Sequence, residues 1–231
     1  MIQHLLCVLF VGSVVFTKAL SLKDFTPSLK NHLLSRILGL DYDGDEIEFT
    51  SEQRNTITFV NNRLYRHKVL RVNYTTYDLR REQDSLNPRT HADIMVLSHE
   101  DDASAHPYWY ARIIGIFHAM VHFSGLSSHP RIEHGVRQMN FLWVRWFGRD
   151  LTYKSGWQAR RLHRIGFMNA EQACAFGFLD PEHVVRAVHL IPAFAFGRTA
   201  DLLAPSIARP ASDNDHDWLY YYVSMCVYFI L

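Results

Sequence analysis

Cysteine is scarce in this chain: Cys7, Cys174 and Cys226 are the three in 231 residues, and none belongs to a C-x-x-C pair. So sparse and odd a count excludes a disulfide framework and a zinc knuckle, and predicts reduced, buried thiols. Net charge is equally scarce, at +1. Overall charge therefore names no partner, and any electrostatic function has to sit in local clusters. Long apolar runs are missing too. Leu5 to Phe16 is apolar but too short to cross a bilayer as a helix, and no integral membrane span is expected. No G-x-S-x-G elbow and no phosphate-cradling glycine loop is present, so no cofactor is predicted. There is no internal repeat and no low-complexity tract.

What the chain does contain is a globular composition, 48% apolar and 20% charged, with 13% aromatic residues. Aromatics at that level favour strands and broad contact surfaces. Residues 1–20 form a hydrophobic leader. It suits the apolar part of a secretory signal with small residues before Leu20, yet it lacks the usual early Lys or Arg. Secretion is expected if the leader is a genuine signal; otherwise it is a gene-model artefact.

Residues 21–63 read as a helical segment. Leu29, Leu33, Leu34 and Ile37 recur at helical spacing and Gly39 follows as a stop. Thr50 or Ser51 caps a second predicted helix running toward Leu64. Beyond it the pattern changes. Strand-length apolar runs occur at 64–77, 92–98, 108–122, 140–147, 184–194 and 218–223, separated by turn residues. Several strands without alternating long helices predict an antiparallel barrel or sandwich. The expected fold is mainly β, with a barrel module over 64–199 and a tail over 200–231 that carries a terminal strand.

Within 108–116 both faces of the strand are largely apolar, so it is expected to be central, and Arg112 there needs a partner. In 141–147, Leu142, Val144 and Trp146 line one apolar face, and Trp146 is predicted to be core.

The chemistry-bearing residues mostly fail the tests of spacing. Asp41, Asp43 and Asp45 suggest a calcium loop, but its sixth position holds Glu46 and the glycine is Gly44 at the fourth. A solvated acidic turn fits better. The 14 histidines are scattered. His118 and His122 lie on one predicted strand about 13 Å apart, too far to share an ion. Asp78, Asp84 and Asp93 read as turn formers rather than as a two-metal site. No catalytic or metal-binding residue is predicted.

Two basic stretches remain. Residues 54–81 hold seven Lys or Arg against Asp78, and Arg66, Lys68 and Arg71 are its candidates. Residues 145–164 hold Arg145, Arg149, Lys154, Arg160, Arg161 and Arg164 against Asp150 alone, interleaved with Trp146, Phe147 and Trp157; Arg145, Arg149, Arg160, Arg161 and Arg164 are the leading candidates for phosphate contact, ahead of those in 54–81. Clustered guanidinium groups attract phosphate and aromatic faces stack on bases. The competing reading places these arginines on outward strand positions, paired with acidic loops.

The ordered blocks LYRHKVLRVNYTTYDLRREQDSLNPRTHADIMVLSHEDD (64–102), HPYWYARIIGIFHAMVH (106–122), NFLWVRWFGRD (140–150), WQARRLHRIGF (157–167), AFGFLDPEHVVRAVHLIPAFAFGRT (175–199) and DWLYYYV (217–223) resemble the C-terminal region of fungal Plavaka-type transposases, of the Kyakuja-Dileera-Zisupton group. The likeness spans about residues 22–225. It implies a non-catalytic accessory module, because that family's catalytic domain lies upstream, and it implies a nuclear location. The leader and the apolar end CVYFIL depart from the family, as in a fragment or decayed element. YWYARII, VRWF and VHLIP are also similar to strands of bromo-adjacent homology domains, β-rich, SH3-like barrels that bind chromatin proteins. The expected partners are DNA, through the basic stretches, or a chromatin protein. The sequence sets no oligomeric state.

Overall fold

The computed structural model describes residues 7–15, 25–40, 47–75, 80–99, 106–126, 129 and 132–224. Helix α1 (Phe25–Leu38) buries Leu29, Leu33, Leu34 and Ile37 on one face, as their spacing predicts. It ends at Gly39, whose φ of +67° suits a residue without Cβ, and the amides of Gly39 and Leu40 donate back to Arg36 and Ser35. Helix α2 (Ser51–Asn55) opens with a reciprocal capping box between Thr50 and Gln53. It is much shorter than predicted. The β-branched run that follows, Thr56-Ile57-Thr58, leaves the helix and forms strand β2 (Ile57–Phe59), with Ile57 fully buried. Among the described residues no helix is long and apolar enough to cross a membrane.

The remainder is mainly antiparallel β structure. Strands β1 (Cys7–Val15), β3 (Arg63–Thr75), β6 (Tyr108–Phe123), β7 (Gly135–Arg149), β8 (Arg164–Phe167), β14 (Tyr221–Val223) and β11 (Leu190–Pro192) form the main path in that order. Off this path, β4 (Arg81–Leu86) pairs β3, β5 (Asp93–Leu97) pairs β6, β10 (Val184–Ala187) pairs β5, β9 (Phe176–Leu179) pairs β7, and β2 pairs β6. A small ribbon joins β12 (Arg198–Thr199) to β13 (Asp217–Trp218). Among the described strands no ladder joins the two ends of the path, and no closed barrel is found.

Side chains, not a ladder, bridge β10 to β4. The Ala187 amide donates to Asp84 Oδ2 at 2.9 Å, Arg186 pairs with Asp84, and Arg186 also donates to the Tyr74 hydroxyl. Burial and the hydrogen bond that hydroxyl gives to Glu82 push its pKa up to about 12, so it stays a donor.

Strands β6 and β7 are the centre of the molecule. Every residue from Phe141 to Phe147 is buried. Leu142, Val144 and Trp146 join a middle core with residues of β3, β4, β5, β9 and β10. Phe141 and Trp143 face α1 in a second cluster, and Phe147 belongs to a third with β8 and β14. Trp146 is core, as expected. Residues 200–224, read as a tail, supply β13, β14 and a buried carboxylate at Asp217.

Candidate nucleic-acid interface

The connection between β7 and β8 is a hairpin whose returning arm is tied to β14, where the Val223 amide donates to the His163 carbonyl. Asp150 donates its amide to the Arg164 carbonyl at 3.0 Å, closing the base. Gly156 and Arg161 exchange both backbone hydrogen bonds, and the Arg160 amide bonds the Trp157 carbonyl, closing the tip. Two residues there carry positive φ: Gly156 at +96° and Arg160 at +51°. Next to the tip, the Ser155 hydroxyl lies 2.9 Å from His163 Nδ1 and ties the two arms together.

This hairpin sorts the predicted basic residues into two groups. Arg149, Lys154, Arg160 and Arg161 are exposed, and among the described residues no ion pair engages them. Arg164 is different. It donates twice to Asp150, at 2.6 and 2.8 Å, and its guanidinium lies over the rings of Tyr153, Phe196 and Tyr220. The hydrogen bonds from Thr152 and Arg164 hold the Asp150 carboxylate below its usual range. Asp150, the sole acid of the stretch, is thus consumed by Arg164, which leaves four cations at the surface that pair with no acid among the described residues. Arg164 itself is a structural clamp under the hairpin.

Arg145 leaves the interface altogether. It is 1% exposed and lies between the apolar clusters at the two ends of its strand face. It makes a two-pronged pair with Asp217, both bonds at 3.0 Å, and Asp217 accepts a second such pair from buried Arg209. Burial alone would raise the Asp217 pKa; the two guanidinium groups reverse that and hold it below the ordinary carboxylate value. Arg145 also stacks on the Phe167 ring at 3.9 Å. Alternation on β7 cannot reveal this, because its carboxylate comes from a segment 72 residues away. Arg112 finds the partner its setting requires, bonding both oxygens of Asp93 at 2.6 and 2.9 Å.

The second basic stretch lies on β3, across β6 from the hairpin's strand. Arg66 and Lys68 are exposed there and Arg71 is half-buried. The two stretches therefore form separate surfaces. Asp84 and Asp93 lie within strands and bind arginines, so they are not the turn formers expected; Asp78 and the acidic run 41–46 lie outside the described residues. His118 pairs across strands with buried His67, at 2.7 Å from Nε2 to Nδ1, a contact that counting along one strand misses. Cys174 is exposed rather than buried.

Positive potential near Arg149 reaches inward. Buried His106 stands edge-on to His163, with ring centroids 4.3 Å apart. Burial, His163 and Arg149 together lower the His106 pKa to about 4. His163 is lowered by burial and by Arg149. Both imidazoles are therefore neutral at pH 7, and the hairpin's positive charge is carried by Arg and Lys alone.

Comparison with protein-family models, with curated proteins and with solved structures finds no match.

Proposed function

We propose that this chain is a non-catalytic accessory module of a transposase-like protein, and that it contacts the DNA backbone through the β7–β8 hairpin. The observation that carries the proposal is the set of four exposed cations, Arg149, Lys154, Arg160 and Arg161, on one hairpin whose only carboxylate is already paired. Backbone phosphates need only charge at the right spacing, and they dominate nucleic-acid affinity. The transposase part of the reading rests on the ordered likeness over residues 22–225, from which a nuclear location follows.

A barrel of bromo-adjacent homology type remains the finer reading of the fold. In its favour, one core draws on β3 to β7, β9 and β10, and Asp84 spans the gap between β10 and β4. A histone-tail reader with an aromatic cage is the weaker functional reading. Tyr153, Phe196 and Tyr220 do surround a cation, but that cation is the chain's own Arg164.

Replacing Arg149, Lys154, Arg160 and Arg161 together with Gln tests the proposal by duplex binding at low salt. Loss of binding with an unchanged circular dichroism spectrum supports it. Unchanged affinity refutes it.

A further inference from the structure

Trp157 sits at the hairpin tip and is 72% exposed. An indole left in water forgoes the stabilisation that burying a large apolar side chain contributes. The tip is locked by the Gly156–Arg161 backbone pair, by the turn from Trp157 to Arg160 and by the Ser155–His163 bond. Beneath it, Tyr153 lies under the guanidinium groups of Arg161 and Arg164, so the support for the tip is itself packed. Lys154, Arg160 and Arg161 lie within four residues of Trp157 in sequence, and the other exposed apolar side chain of the hairpin, Leu151, lies six residues away.

Resting on the phosphate-contact reading, we infer that Trp157 is a stacking platform and that the hairpin prefers single-stranded nucleic acid to duplex. An indole face stacks on any base, but only on a base that is unpaired and turned out. In a duplex the base faces are occupied by their neighbours and the cations reach only the phosphates. The arrangement gives charge for the strand and a flat ring for the base, and stacking accepts any base because every base has a π-face. The expected ligand is an unpaired segment of a few nucleotides, bound with little sequence preference.

The test compares the full chain and Trp157→Ala for binding a short oligo-dT, a duplex of the same length and heparin, with tryptophan emission recorded in parallel. Stacking one base is worth about 5- to 150-fold in affinity. The substitution is therefore expected to weaken oligo-dT binding by roughly tenfold or more, with duplex and heparin binding essentially unchanged. Oligo-dT is also expected to quench emission that Trp157→Ala lacks. Equal affinity for single strand and duplex, unaffected by Trp157→Ala, overturns this inference while the phosphate reading stands. Failure of all three polyanions to bind at low salt overturns both. Emission that shifts on neutral lipid vesicles but not on oligo-dT assigns Trp157 to a membrane surface and overturns the inference.

Discussion

Arg112 and Arg145 are direct cross-strand partners on β6 and β7. Like charges in that position repel. The pair persists because each guanidinium has its own carboxylate, Asp93 and Asp217, and because both lie over the Phe167 ring. Asp217 is the more exacting of the two, since it neutralises Arg209 as well. Asp217→Asn leaves two buried guanidinium groups short of charge, and it is expected to cost about 3–5 kcal/mol in denaturant unfolding. Replacing Arg145, Arg209 and Asp217 together with apolar residues of similar volume is expected to cost far less, since no buried charge is then left over. Because the folded Asp217 pKa is depressed, its contribution is complete above the unfolded value of about 4 and is lost as pH falls through the folded one. His106 acts over a higher window. Its folded pKa of about 4 lies below the unfolded value, 6.5, so between these the unfolded chain binds the extra proton. Stability should therefore fall from pH 6.5 toward pH 4, by roughly 2–3 kcal/mol at most from this residue. His106→Asn should flatten that part of the profile in thermal melts.

At the scale of elements, the hairpin depends on its two positive-φ residues. Gly156→Ala forces a Cβ into a φ of +96° and is expected to cost about 1 kcal/mol or more. Faster amide exchange at Arg161, whose amide closes the tip, would register the loosening. Elements differ in how plainly the sequence announces them. Helix α1 is legible because its apolar residues recur with a helical period and a glycine follows. Strands β3, β5, β6 and the second half of β7 are legible as long apolar or β-branched runs. Strand β4 is not, because five of its six residues are polar and it forms by pairing with β3. The short strands β8, β9 and β12 carry too few residues to establish a period. Helix α2 is announced by its cap, but the cap does not say how soon the β-branched run ends it. The candidate site divides in the same way. Exposure of Arg149, Arg160 and Arg161 agrees with a charge count along the chain. Burial of Arg145 and the clamp at Arg164 depend on Asp217, Phe196 and Tyr220, which only the fold brings near.

For the molecule as a whole, a formal charge of +1 understates what the surface offers. Asp84, Asp93, Asp150, Asp180 and Asp217 each pair with an arginine inside or between elements. Four of these pairs lie off the β7–β8 hairpin and the fifth, Asp150–Arg164, closes its base, so a nearly neutral chain still exposes Arg149, Lys154, Arg160 and Arg161 there. The most direct measurement is duplex affinity as a function of salt. With four phosphates neutralised, the log of affinity should fall against log salt with a slope of about −3 to −4. The variant with all four hairpin cations replaced by Gln should bind weakly and lose most of that slope. An unaltered slope in the variant, or binding indifferent to salt in the parent chain, would contradict the account.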